Sequence, residues 1–239
     1  MLLSHNVILP YGNRFKRDEK DAFIPSDYII DAIKEALIFY LVKKNKSVEK
    51  YILKEVSQID SIKDLEIFSE KIKNSILNRE NLLNNINMPS KIYLPKDGIY
   101  NLKIQSFDLE KKEFIEQFES EGFKGTIQAF ELNSPNIQII KDALLSFSKS
   151  LTDYEHKMIK DTTLEPIIID LQNFIANEWN MTIRIGKWNI DDSKNKLLFL
   201  WRIKEVRELI QKRFKMDVRP KSILYVPKFK EFVGWCEIA

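Results

Sequence analysis

The sequence has 239 residues, of which 44% are hydrophobic and 31% are charged, a composition typical of a globular protein. No apolar run approaches the roughly 20 residues of a membrane span, and the first residues lack the order of a secretory signal. The single cysteine, Cys236, excludes a disulfide framework and a cysteine-rich metal site. We therefore expect a cytoplasmic protein without a membrane segment.

The positive charge is concentrated toward one end of the sequence. Residues 181–239 carry 14 Lys and Arg against 7 Asp and Glu, a balance of +7, whereas residues 1–180 have a balance of −4. A basic end on a nearly neutral body suggests an anionic partner such as nucleic acid. A solvated basic face with no partner explains the charge equally well.

The first third of the chain predicts one strand followed by helices. Residues 1–10 predict a short strand that ends at a turn. Apolar residues then recur at helical spacing over 26–42, and Ser26 or Asp27 is suited to cap this helix. The next stretch has no Gly or Pro and predicts two or three amphipathic helices, which we interpret as a helical insertion at about 45–90.

The remaining pattern alternates between strands and helices. Period-2 alternation around the turn at 95–98 predicts a strand pair over 91–110, and 122–132 predicts another strand. We also predict helices over 135–160, 164–178 and 206–214, and strands over 181–188, 222–226 and 232–238. The order predicts an α+β fold with sheet and helices in layers, in a single domain that spans 1–239.

Common catalytic and metal-binding motifs are missing. The two histidines, His5 and His156, are far apart in the sequence, and there is no HExxH, P-loop, GxSxG or GxGxxG motif. Clustered Cys, His or carboxylate ligands for a metal do not stand out. We therefore predict no catalytic residue, no metal site and no cofactor.

Three segments are candidates for binding phosphate or bases. The first is the entry into the helix that carries Lys34, because a helix N-terminus offers free N–H groups and a positive dipole end. An ordinary capped helix is the alternative. The second contains Arg184, Gly186, Lys187 and Trp188, in which a glycine allows close backbone approach and a tryptophan can stack on a base. A strand that ends beside a core tryptophan is the alternative.

The third segment is the C-terminal stretch that contains Arg219, Lys221 and Trp235. Basic residues alternate there with aromatic ones, including Lys228, Phe229 and Lys230. This combination suits a single strand of nucleic acid. A two-stranded sheet edge protected by lysines is the alternative.

In this order, the segments resemble the motifs of a known family. The chain resembles the RAMP superfamily, the ferredoxin-like RNA-binding proteins of CRISPR effector complexes, and within it the subunit at the head of type III-A (Csm) complexes. The resemblance covers most of the chain outside 45–90. It rests on Ile24-Pro25, Ile29, Ala32-Ile33-Lys34, Gly125–Glu131, Arg184-Ile185-Gly186, Pro220-Lys221-Ser222 and Val233-Gly234-Trp235-Cys236.

The resemblance implies a ferredoxin-like core with an inserted helical region. It also implies a non-catalytic subunit that holds the 3′ part of the CRISPR RNA (crRNA) and caps the row of backbone subunits, which would be its protein partners. The implied RNA contacts are Lys34, Arg184, Gly186, Lys187, Trp188, Arg219, Lys221 and Trp235.

Two other functions remain open at this point. One is an endoribonuclease of the same superfamily that processes CRISPR RNA precursors, for which His5 would be the only histidine candidate. The other is a protein-interaction module without RNA contact, in which the helical region at 45–87 would carry the function.

Overall fold

The computed structural model describes residues 2–19, 21–79, 82, 83, 86, 88–127, 134–176, 181–190 and 197–238. Helices and antiparallel strands share one buried apolar core, which confirms the α+β prediction. The helices are α1 (Asp27–Lys44), α2 (Lys46–Val56), α3 (Ile62–Arg79), α4 (Ile137–Ile159), α5 (Glu165–Ala176) and α6 (Lys204–Phe214). The strands are β1 (Leu2–Ser4), β2 (Lys16–Asp18), β3 (Asp21–Pro25), β4 (Lys91–Tyr93), β5 (Ile99–Asp108), β6 (Glu113–Phe123), β7 (Thr126–Ile127), β8 (Met181–Arg184), β9 (Ser222–Val226), β10 (Glu231–Phe232) and β11 (Trp235–Ile238).

The first sheet joins the two ends of the described chain. Its strand order is β7-β1-β11-β8, and every neighbouring pair is antiparallel. Strand β1 pairs directly with β11, with Leu2 opposite Ile238. On its other side, β11 places Trp235 opposite Arg184 of β8. Two of the segments predicted to bind RNA therefore meet in one sheet.

The second sheet has the order β10-β9-β5-β6. Strands β5 and β6 form a long hairpin in which Tyr100 is opposite Gly122 and Ile104 is opposite Phe118. Strand β9 pairs with the end of β5, so the turn after β9 lies toward the start of β5. A bridge between Ile8 and Phe123 connects the segment after β1 to this sheet.

A third, smaller sheet has the order β2-β3-β4 and leads directly into α1. The prediction of a strand pair within 91–110 is correct for the strands but wrong for their pairing. Strand β4 pairs with β3, β5 pairs with β6, and the turn between β4 and β5 is a short 3₁₀ helix at Lys96–Gly98. The predicted strand over 122–132 lies partly outside the described residues.

Helix α1 lies in the middle of the helical layer. Its buried face includes Ile29, Ile33 and Leu37 and packs against α3, α4 and a 3₁₀ helix at Leu198–Arg202. Glu35 is buried on the same helix; it accepts a hydrogen bond from the Phe199 N–H at 2.7 Å and pairs with Lys73 Nζ of α3 at 2.6 Å. This ion pair fixes the predicted helical region at 45–90 to the core, while its status as an insertion in a single domain stays a prediction.

Two further properties concern the described residues alone. Among their helices, none combines the length and apolarity that a membrane crossing requires. Their His, Cys, Asp and Glu side chains form no group of three that is placed to hold a metal ion.

Candidate nucleic-acid interface

Arg184 ends β8 with a side chain that is only 1% exposed. Its Cζ lies 4.2 Å from the ring centroid of Trp188 and 5.0 Å from that of Trp235. Nε donates to the Val233 carbonyl at 3.1 Å, and Nη1 donates to Glu155 Oε1 of α4 at 2.5 Å. Burial lowers the pKa of Arg184 and raises the pKa of Glu155, while the attraction between the two charges opposes both shifts. Arg184 therefore joins the sheet to α4 inside the protein.

Gly186 follows with a backbone conformation that favours glycine, at a φ of +73°. A Cβ at this position would lie 2.1 Å from the carbonyl oxygen of Leu9, so the close approach here is to the protein's own backbone. That carbonyl also accepts the N–H of Lys187 at 3.2 Å. Gly186 thus holds the 6–9 segment against the end of β8.

Four of the predicted RNA contacts are therefore interior residues. Trp235 is fully buried, Trp188 is 5% exposed, and Arg184 and Gly186 are equally enclosed. A side chain inside the core has no route to a strand of nucleic acid outside it. In this structure the four residues therefore contact the protein's own interior, and their role in RNA contact stays a prediction.

Lys187 is the member of this segment that reaches the surface. Its side chain is half-buried, and Nζ lies 5.1 Å from the ring centroid of Phe118 on β6. Within the described ranges, no ion pair involves Lys187. An uncompensated cation beside an aromatic ring suits a phosphate next to a stacked base.

Arg219 lies beside a carboxylate of its own loop. Its Nε and Nη2 donate to Asp217 Oδ2 at 3.0 and 2.5 Å. Burial opposes ionisation of Asp217, but the Arg219 hydrogen bonds outweigh it and lower the pKa of the carboxyl. The next loop residue is fixed by Tyr154, whose hydroxyl donates to the Pro220 carbonyl at 3.0 Å; burial raises the pKa of Tyr154 to about 12. Arg219 is thus held in place rather than free to follow a ligand.

The two remaining predicted cations form weak surface pairs. Lys34 Nζ lies 3.7 Å from Asp31, and Lys221 Nζ lies 3.9 Å from Glu110. Exposed pairs of this kind contribute about 0–1 kcal/mol, so a phosphate can replace the carboxylate at little cost. Among the residues that the structure describes, no ion pair joins Lys34 to another predicted RNA contact.

A group that we call the lysine–aromatic cluster consists of Tyr100, Lys124, Lys228 and Phe229. Lys228 Nζ lies 4.6 Å from the ring centroid of Tyr100 and 5.3 Å from that of Phe229. Lys124 Nζ lies 5.0 Å from the Phe229 centroid, and the two rings meet edge to face at 5.3 Å. Lys228 is exposed, so the cluster presents a cation and aromatic edges to solvent.

The sequence pattern indicates only two of the four residues of this cluster. Lys228 and Phe229 belong to the basic and aromatic C-terminal stretch, whereas Tyr100 and Lys124 come from β5 and the loop after β6. Their proximity follows from the pairing of β9 with β5, which local patterns do not reveal.

Tyr100 of the lysine–aromatic cluster and Phe118, the ring beside Lys187, lie on one face of the second sheet. Tyr100 and Ile104 are four residues apart on β5, and Ile104 is paired with Phe118, so the rings of Tyr100 and Phe118 lie on the same face. Leu102 and Ile104, on the same face of β5, are 4% and 0% exposed. The sheet face between the two rings is therefore packed inside the protein, and Lys228 and Lys187 lie at its margins rather than on one open sheet surface.

The sequence of the chain is similar to that of an uncharacterized protein along almost its whole length. No family model matches the chain. An uncharacterized protein of Aquifex aeolicus (strain VF5) is 29% identical over 238 residues, which cover 99% of this chain and 98% of that protein.

A solved structure provides the fold comparison. It is a cryo-EM structure of a Csm–crRNA–target RNA ternary complex of a type III-A CRISPR-Cas system, and one of its chains matches with a TM-score of 0.56 at 10% identity. The match covers 95% of this chain and 75% of the other. This protein therefore shares its overall fold with a chain of that complex.

Proposed function

We propose that this protein is a non-catalytic RNA-binding subunit of a type III CRISPR ribonucleoprotein complex. In this role it holds the 3′ part of the crRNA and caps the row of backbone subunits. The observation that carries the proposal is the fold shared along 95% of the chain with a chain of a Csm–crRNA complex. The charge excess of residues 181–239 agrees with it.

The described surface supplies a physical basis for holding RNA. Lys187 and Lys228 each lie beside an aromatic ring. Lysines neutralise phosphates, and partly exposed aromatic rings offer faces on which bases of any sequence can stack. The buried pair of Arg184 and Glu155 supports this surface from inside. RNA contact in this arrangement depends on side-chain cations and aromatic rings rather than on a glycine-rich loop.

Binding of an unstructured RNA of about 16 nucleotides, the upper end of single-strand site sizes, tests the proposal. The affinity, measured by fluorescence anisotropy, is expected to fall with salt with a slope of about −0.7 per phosphate contacted. Lys187→Gln and Lys228→Gln should each make that slope shallower by about 0.7. Lys204→Gln removes the same charge from an exposed helical position with an i,i+4 partner, and its slope should match the wild type.

Three results would contradict the proposal. A wild-type protein that retains no RNA at low salt does not hold RNA. Cleaved RNA on a denaturing gel, lost in His5→Ala, would identify the endoribonuclease instead. Purification of the tagged full-length chain from its own cells should also recover CRISPR subunits and crRNA, and their absence would exclude the complex.

A further inference from the structure

A cavity of about 320 Å³ opens beside the lysine–aromatic cluster. Its floor and walls come from the segment after β1, the turn before β10 and helix α5. His5 and Asn6 border it on one side, Phe229 and Lys230 on another, and Ile167 of α5 on a third. This volume is at the lower end of the roughly 300–1,000 Å³ that ligand pockets enclose, which limits an occupant to a small group.

The cavity has aromatic surfaces that are already fixed. The imidazole of His5 is stacked on Phe174 of α5, with ring centroids 3.7 Å apart and planes 6° from parallel. Burial and the nearby charge of Lys124 both lower the pKa of His5, which favours the uncharged ring. Phe229 is held edge to face by Tyr100. A flat, uncharged ring can therefore enter the cavity without a prior rearrangement of these side chains.

Charges of both signs surround these rings. Lys230 is exposed and ends the turn after β9, where its N–H donates to the Pro227 carbonyl and its φ is +54°. No ion pair involves Lys230 in the described part of the chain. Lys124, in contrast, is paired with Glu231, whose other carboxylate oxygen accepts the Val7 N–H at 2.7 Å. Lys230 thus supplies the uncompensated positive charge at the cavity.

Asp170 of α5 provides a hydrogen-bond acceptor at the wall of the cavity. Asn6 also lines it, but its carboxamide oxygen is enclosed by the protein and has no partner among the described residues. The amino group of a nucleobase can donate to the Asp170 carboxylate.

From these contacts we propose that the cavity takes one unpaired nucleotide of the bound RNA strand. The base enters between His5 and Phe229, its amino edge faces Asp170, and its phosphate contacts Lys230. The strand then continues over Lys228 on the lysine–aromatic cluster. This inference rests on the proposed function, because the nucleotide is part of the RNA that the protein is proposed to hold.

A cavity-filling substitution tests the inference. Ile167→Trp on α5 introduces an indole into the cavity and should weaken binding of the 16-nucleotide RNA roughly 5- to 150-fold, the loss expected for one stacked base. Ile169→Trp is the matched control, because Ile169 is on the same helix, is 41% exposed and does not line the cavity. Its affinity should equal that of the wild type, and thermal melts of both variants show whether they are folded.

A second measurement uses the unmodified protein. When 2-aminopurine replaces each base of the RNA in turn, one position should change its fluorescence on binding far more than its neighbours, and Lys230→Gln should reduce that change. Equal effects of Ile167→Trp and Ile169→Trp, or uniform fluorescence along the RNA, would overturn the inference. If RNA binding still weakened in Lys187→Gln and Lys228→Gln, the proposed function would stand without the inference. If the protein bound no RNA at all, the proposed function and the inference would both be refuted.

Discussion

The buried ion pair between Arg184 and Glu155 makes a sharp prediction about stability. Glu155→Gln removes the negative charge and leaves the guanidinium, whose side chain is 1% exposed, without compensation. Loss of one partner of a buried pair costs about 3–5 kcal/mol. For a chain of this size each kcal/mol lowers Tm by about 2–4 °C, so we expect Tm to fall by about 6–20 °C.

Thermal and guanidinium unfolding followed by circular dichroism measure this effect. Glu208→Gln is the matched control, because Glu208 pairs with Lys204 on an exposed helical face at 3.8 Å, where such pairs contribute about 0.3–0.5 kcal/mol. The double variant Arg184→Met with Glu155→Leu should recover most of the loss, since apolar residues of similar volume often replace a buried pair without cost. If Glu155→Gln and Glu208→Gln unfold at the same temperature, the pair does not hold β8 to α4.

Two further predictions concern the backbone and the pH dependence of stability. Gly186→Ala should destabilise the protein by more than the roughly 1–2 kcal/mol that a left-handed backbone conformation costs a residue with a Cβ, because this Cβ also meets the Leu9 carbonyl. Gly12→Ala, where a Cβ meets nothing within 4 Å, should be nearly neutral in the same unfolding assay. Burial alone would raise the pKa of Glu121, but hydrogen bonds led by that of Arg17 lower it overall. A carboxyl with a depressed folded-state pKa stabilises the fold above its unfolded pKa of about 4.3 and loses that contribution as pH falls. Arg17→Gln should therefore be less stable than wild type at pH 7, and this difference should shrink toward pH 3 in denaturant titrations; a constant difference would contradict the assignment.

The helices were predictable because their buried faces are periodic in the sequence. The apolar spacing over 26–42 predicts α1 within about two residues of its observed bounds, Asp27–Lys44. The cap was less predictable: Ser26 occupies the N-cap position, but its side chain makes no capping hydrogen bond. Local patterns therefore located the elements better than the details of their ends.

Strand partners were harder to predict than strands. The Pro95–Gly98 turn is typical of a hairpin, yet β4 pairs with β3 in another sheet. Pairing depends on which distant strands share the core, and residue alternation contains no record of the partner. For the same reason, the single strand predicted over 232–238 is two strands in the structure. The chain passes from β10 in the second sheet to β11 in the first sheet at Gly234, where φ is +93°.

The candidate site was predictable as a region but not residue by residue. Arg184 and Lys187 lie three positions apart in one basic segment, and nothing in their spacing distinguishes an interior cation from a surface one. The difference comes from Glu155 and Trp235, which approach Arg184 from other parts of the chain. Charge patterns identify where cations accumulate, whereas burial decides which of them can meet a ligand.

The pairing of β1 with β11 has a consequence for synthesis of the protein on the ribosome. Leu2 emerges before the rest of the described chain, and its partner Ile238 emerges after almost all of it. At about 5–20 residues per second, the delay is on the order of tens of seconds. During that time β1 has only β7 as a partner from the first sheet, and the strand that belongs between β1 and β8 has not yet been made. In nascent chains the first sheet should therefore remain incomplete until β11 has been synthesised. During this period the unpaired edge of β1 is a target for chaperones or aggregation.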